Sequence, residues 1–149
     1  MEILMGDILK DSYWVVENKI LGVRKPQSTE ELNILKDLGM GGIISLLDDK
    51  ENHNLYSNNE VDYCWIPVTG GKPPSVDQVE EAFKFAKKVW EQSKVLVVHC
   101  SGGRKRTATL IASILVKDNQ APTKALELIY TANPKINLNE EQLEFVKNL

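Results

Sequence analysis

The segment Lys94-Val95-Leu96-Val97-Val98-His99-Cys100 limits the fold more than any other part of the chain. After its first residue the run to Val98 is apolar without alternation, and a strand tolerates that only when both of its faces are covered. Directly after Cys100 come Ser101, Gly102 and Gly103, the basic triplet Arg104-Lys105-Arg106, and then Leu110, Ile111, Ile114 and Leu115 at helical spacing. A buried strand, a tight loop and a helix therefore follow one another. The fold class expected around them is α/β, with a mostly parallel central sheet flanked by helices.

The rest of the chain agrees with that class. Tyr13 to Val16 and Ile20 to Val23 are β-rich runs separated by Glu17-Asn18-Lys19, which reads as a hairpin. Ser28-Thr29-Glu30-Glu31 has capping-box spacing, and Leu32, Leu35 and Leu38 follow helically until Gly39. Strands are expected at Gly42 to Leu47 and Asp62 to Ile66, the second followed by a loop at Gly70-Gly71-Lys72-Pro73-Pro74. Ser75-Val76-Asp77-Gln78 opens a long helix whose apolar face is Val76, Val79, Phe83, Ala86 and Trp90. Two more helices are expected, one from Pro122 to Asn133-Pro134 and one from Asn139 to the C-terminus. With 149 residues, no internal repeat and no Pro/Gly/Ser linker, residues 1–149 are expected to form a single domain.

A formal net charge of -3 gives no general attraction to nucleic acid or membrane, so neither is an expected partner. Anion recognition has to come from a local cluster, and Arg104, Lys105 and Arg106 supply one. The opening residues MEILMGDILKDSYW hold no long apolar stretch and no basic leader, so an intracellular, cytoplasmic location is expected. Two cysteines are too few for a disulfide scaffold. Cys64 sits in the apolar run Tyr63-Cys64-Trp65-Ile66 and reads as a buried core thiol. His53 lies in what reads as a polar loop without ligand-like spacing, so no metal site is expected.

Residues 99 to 107 read His-Cys-Ser-Gly-Gly-Arg-Lys-Arg-Thr. A loop that curls from a strand end into a helix N-terminus points successive N–H groups into one cavity, where the helix dipole also favours an anion. Gly102 and Gly103 are expected to permit the tight path. With Ser101, Arg104, Lys105 and Arg106 they form the expected phosphate-binding loop. A ring of donors favours a thiolate, which makes Cys100 the candidate nucleophile. Arg106 offers a planar fork to two phosphate oxygens. His99 is expected to order the loop backbone, and Thr107 to offer its hydroxyl to the cysteine sulfur.

This pattern resembles the signature of the protein tyrosine and dual-specificity phosphatase superfamily, which is His-Cys, five residues, then Arg-Ser/Thr. His99, Cys100, Gly103, Arg106 and Thr107 match it position by position. Ile66-Pro67-Val68 is similar to the strand that enters the family's acid loop. Residues 133 to 143 resemble the family's C-terminal segment, in which Asn139 matches an asparagine that braces the phosphate loop. The resemblance implies the dual-specificity-like fold, hydrolysis of phosphomonoesters such as phosphotyrosine through a phosphocysteine on Cys100, and no metal or organic cofactor.

The chain departs from the family in two places. Lys105 stands where glycine usually precedes the signature arginine, and with Arg104 it resembles plant and fungal atypical dual-specificity enzymes, some of which act on highly phosphorylated inositols. The loop after Pro67 should carry an Asp that protonates the leaving group, yet Gly70 occupies that place and no acid occurs from Ile66 to Ser75. Asp48, Asp49, Glu51 and Asp77 are the remaining acids near the expected site edge. Each reads first as a solvated loop or helix-start carboxylate, so an acid-free mechanism is expected, with Asp48, Asp49 and Asp77 as the candidates for a displaced general acid. Two alternatives to a phosphoprotein phosphatase follow: an enzyme for inositol phosphates or phosphoanhydrides, and a phosphate-binding pseudophosphatase that lacks turnover. The sequence leaves open whether Cys64 can reach Cys100 to form a disulfide.

Overall fold

The structure is a computed structural model that describes residues 8–149. The hairpin strands β1 (Tyr13–Val16) and β2 (Ile20–Val23) pair antiparallel, and Asn18 at φ 60 makes the turn. Then come α1 (Thr29–Asp37), β3 (Met40–Ser45), α2 (His53–Asn58), β4 (Tyr63–Trp65) and α3 (Val76–Glu91). The remainder is β5 (Val95–His99), α4 (Lys105–Lys117), α5 (Pro122–Ala132) and α6 (Glu140–Lys147). The five strands form one sheet in the order β1-β2-β5-β3-β4, and β5 pairs parallel with both β2 and β3. The expected α/β architecture is therefore the observed one.

β5 runs through the centre of the sheet because all five of its residues are apolar or internally bonded and all are buried. On one face Leu96 and Val98 pack with Val79, Ala82, Ala86 and Val89 of α3 and with Leu110, Ile111 and Ile114 of α4. On the other, Val95 and Val97 meet Leu32 and Leu35 of α1 and Tyr56 of α2. Each aliphatic side chain buried this completely contributes about 1.5–3 kcal/mol.

Helix boundaries follow the capping chemistry, with differences from expectation. Ser75 and Gln78 form a complete reciprocal box at α3, as do Asn139 and Gln142 at α6. At α1 only half of the box forms. Ser28 accepts from the Glu31 N–H, but the Glu31 carboxylate turns away to Arg24 and to the Gln27 N–H. Val76 is 57% exposed and does not join the apolar face of α3, where Ala82 and Val89 lie inward instead. His53 starts a helix and is not in a loop; six residues of polar composition are too few to display a helical period. β3 begins at Met40, two residues before the expected start, because its pairing with β5 starts there.

Candidate active site

Register alone brings four loops together. His99 is level with Val23 on one side and Ser45 on the other, and Ser45 is level with Trp65. The chain therefore leaves β2, β3, β4 and β5 at one edge of the sheet, with the loop after Cys100 in the middle. Its neighbours stitch that loop in place. The Lys25 N–H donates to the Ser101 carbonyl at 3.1 Å, and the Tyr13 hydroxyl donates to the Gly103 carbonyl at 2.6 Å. Further on, the Arg104 and Lys105 carbonyls accept from the Ala108 N–H and the Thr109 hydroxyl.

While these carbonyls are engaged, none of the backbone N–H groups of residues 101–106 has an acceptor among the described residues. Six donors on consecutive residues are thus left around one loop at the start of α4, the arrangement that binds a tetrahedral oxyanion. Of the two glycines, only Gly103 is required by this path. It sits at φ +77, and a Cβ on it would lie 2.3 Å from the Val23 carbonyl oxygen, whereas a Cβ on Gly102 would meet nothing within 4 Å.

Cys100 is 4% exposed at the base of this loop. His99, fully buried, bonds through Nδ1 to the Cys100 carbonyl at 3.0 Å. A carbonyl only accepts, so Nδ1 carries the proton and Nε2 accepts from the Tyr56 hydroxyl at 2.5 Å. Burial pushes the His99 imidazole down to about 4 and the Tyr56 phenol up to about 12, which keeps both neutral in these roles. Asn52 completes the chain by donating to the Tyr56 hydroxyl and to the Pro26 carbonyl. His99 thus orders the loop backbone. Thr107 is fully buried, but its hydroxyl has no hydrogen-bond partner among the described residues and makes none to the Cys100 sulfur. The expected Thr107–sulfur bond is not formed.

Arg106 donates from Nη1 to the Val68 carbonyl at 2.8 Å and to Asp48 at 3.3 Å, and from Nη2 to the Ser101 hydroxyl at 3.3 Å. Two of its five N–H donors remain, Nε among them, and they lie on the planar fork suited to a phosphate. Of the three candidate acids, Asp48 alone touches a residue of this loop. Asp49 accepts from the Glu51 N–H within its own turn, and Asp77 sits exposed in the first turn of α3. Asn139 does not brace the phosphate loop. Its side-chain N–H donates to the Gly71 carbonyl while its oxygen caps α6, so it holds the loop after β4.

The family model described as "Polymorphic toxin system, DSP-PTPase phosphatase" matches residues 21–120, from β2 through α4. The chain belongs to this family. The phosphatase is 24% identical to a rat protein, "Phosphatidylglycerophosphatase and protein-tyrosine phosphatase 1", over 95% of this chain and 78% of that one. It is 30% identical to "Phosphatidylglycerophosphate phosphatase PTPMT2" of Arabidopsis thaliana over 76% of this chain and 52% of that protein. Its fold matches the crystal structure of PTPMT1 in complex with PI(5)P, with a TM-score of 0.80, 22% identity, and coverage of 91% of this chain and 92% of that one.

Cys64 of the phosphatase is half-buried, not a core thiol. Its sulfur faces Glu81 at 3.8 Å, and burial followed by that carboxylate pushes its thiol up to about 12. Cys64 is level with Ile44, which is level with Val98, so it lies two strands from β5 and two residues short of Cys100. Two strand spacings put the pair about 10 Å apart laterally, beyond the roughly 7 Å limit for a disulfide. Sequence reasoning missed Tyr13, Asn52 and Tyr56. Tyr13 read only as a strand former, and the one trace of the other two is their spacing of four residues.

Proposed function

We propose that this phosphatase hydrolyses phosphomonoesters through a covalent intermediate on Cys100, and that its substrates are small phosphorylated polyols, free or as lipid head groups. The observation that carries the reading is the ring of unengaged N–H donors at residues 101–106 above a buried cysteine. The amides hold the phosphate oxygens, and Arg106 grips two of them through its remaining donors. The Cys100 thiolate attacks phosphorus, forming the S–P bond as the ester P–O bond breaks and its electron pair leaves on the alcohol oxygen. Water then attacks the phosphocysteine, releasing phosphate and restoring the thiolate. The segment from Ile66 to Ser75 holds no acid, so the carboxylate positioned to handle the proton is Asp48, on the neighbouring loop.

The polyol reading is supported by the relatives named for phosphatidylglycerophosphate and by the basic Arg104 and Lys105 beside the signature arginine. A phosphoprotein substrate is the second reading, supported by the protein-tyrosine phosphatase activity that the rat relative's name also carries. A nucleophilic thiolate needs a reducing compartment, so the proposal includes an intracellular, cytoplasmic location. The test is steady-state turnover of aryl phosphate, phosphopeptide, glycerol phosphate and inositol phosphate by the wild type and by Cys100→Ser. The variant is expected to lose turnover with every substrate and to keep tungstate binding, because the amide ring and Arg106 remain. Residual activity within a few fold of wild type removes the cysteine mechanism, and a preference for phosphopeptide over both polyol phosphates removes the polyol reading.

A further inference from the structure

A cavity of about 150 Å³ opens on the outer side of the phosphate loop, between the start of β1 and the end of α5. Lys10 and Asp11 line it from the segment before β1, Arg104 from the phosphate loop, and Asn133 and Lys135 from the turn after α5. Tyr13 forms the wall it shares with the phosphate loop, since the same phenol donates to the Gly103 carbonyl. Lys10, Arg104 and Lys135 come from three separate stretches of chain, and none of them is in an ion pair among the described residues. The turn that carries Lys135 is closed by its backbone N–H, which donates to the Asn133 side-chain oxygen at 3.1 Å.

Three like charges around so small a space repel one another, and no ion pair among the described residues engages them. Asp11 offsets one of them, and the carbonyl end of α5 offsets the equivalent of about half a charge. The balance stays positive in a chain whose overall net charge is -3. A second anionic group would therefore be attracted to this cavity, and Arg104, which lines it, belongs to the loop that takes the first.

We infer that this cavity is a subsite for a second phosphate carried by the substrate, held by Lys10, Arg104 and Lys135 while the scissile phosphate sits over Cys100. The inference rests on the polyol reading given above and narrows it: the preferred substrates are bisphosphates, or monoesters that also carry a phosphodiester. The group recognised is a phosphate oxyanion in either case. A soluble polyol bisphosphate and a short-chain phospholipid monoester separate the two sources.

The experiment compares wild type with Lys10→Gln/Lys135→Gln, and with Lys135→Glu as a stronger perturbation of one exposed side chain. The substrates are aryl phosphate, glycerol 3-phosphate, glycerol 1,3-bisphosphate and dibutanoyl phosphatidylglycerophosphate. The double variant is expected to raise KM for at least one of the last two by about tenfold and to leave kcat and both single-phosphate substrates within about twofold. Lys135→Glu should exceed that loss, and wild-type kcat/KM for the affected substrate should fall more steeply with salt than that for aryl phosphate. A loss with the lipid alone assigns the subsite to a phosphodiester head group, and a loss with the soluble bisphosphate assigns it to a polyol phosphate. Equal KM changes for all four substrates, or none, overturn the subsite while leaving the cysteine mechanism standing. Calorimetric binding of glycerol 1,3-bisphosphate and the lipid to Cys100→Ser, with and without the two lysine changes, reads the same subsite independently of turnover. Unchanged affinity for both overturns the inference even if the cysteine mechanism itself fails.

Discussion

Replacing Gly103 with alanine tests whether the phosphate loop is held by its contact with β2. The residue has φ +77, where a side chain costs about 1–2 kcal/mol. The added Cβ would also lie 2.3 Å from the Val23 oxygen, 2.4 Å from its carbonyl carbon and 2.7 Å from the Arg24 nitrogen. All three are backbone atoms at the end of a strand paired on both sides, so no flexible side chain can yield. Relief requires the loop to move outward by about 0.7 Å or more, which adds an overpacking cost of about 1–3 kcal/mol. The expected destabilisation is therefore about 2–5 kcal/mol, a fall in Tm of roughly 5–15 °C for a domain of this size. Turnover and tungstate binding should fall with it, because the movement takes the N–H groups off their common centre. Gly102→Ala is the internal control, expected within about 0.5 kcal/mol of wild type because open space surrounds the site. Thermal unfolding and aryl phosphate turnover of both variants decide the matter. Equal stability and activity for the two would refute the close-approach argument.

His99 is buried with its imidazole held down to about 4, below the 6.5 of an exposed ring, so the unfolded chain binds the extra proton between those values. Stability is fully present above pH 6.5 and is lost as pH falls toward 4, by about 3 kcal/mol at most from this group; urea unfolding from pH 7.5 to 4.5 measures it, and a flat profile contradicts it. Tyr56→Phe removes the donor to His99 and the acceptor of Asn52 and should cost about 1–3 kcal/mol by urea unfolding, with reduced kcat. Asp48→Asn should steepen the dependence of kcat/KM on phenol pKa across a series of aryl phosphates, while Asp49→Asn and Asp77→Asn leave it unchanged. An equally steep slope in wild type and Asp48→Asn removes Asp48 from proton transfer.

The parts of this molecule that were legible in the sequence are those in which one stretch of chain determines the outcome. The apolar run Val95 to Val98 fixes a doubly covered strand, and the residues after it fix a loop and a helix. The Ser75 box could be read because both of its partners are local. The Ser28 box failed because Arg24, seven residues away from Glu31, competes for the same carboxylate. The site's supports were illegible for the same reason: Tyr13 reaches Gly103 across 90 residues and Tyr56 reaches His99 across 43. Such pairings depend on strand order, which periodicity does not contain. The resemblance gives Asn139 a bracing role on the phosphate loop; the structure keeps a brace but places it on the loop after β4.

That displaced brace explains how the loop after β4 can exist without an acid. An acid loop has to bring its carboxylate to the leaving group, yet here the segment is tied at several points. The Val68 carbonyl accepts from Arg106, the Pro67 carbonyl from Gln78, and the Gly71 carbonyl from Asn139. Lys72 adds an ion pair with Glu141, though exposure of both partners makes its contribution small. Three carbonyls spent on anchors at α3, α4 and α6 hold the segment against the body of the protein, and its glycines contribute no reactive group. It acts as a strut that aims the Arg106 guanidinium. Arg106 divides one nitrogen between this strut and Asp48, so the carboxylate is oriented by the same group that is proposed to grip the phosphate. In the proposed mechanism, proton handling therefore moves from the loop after β4 to the loop after β3, one strand nearer to β5 in the sheet.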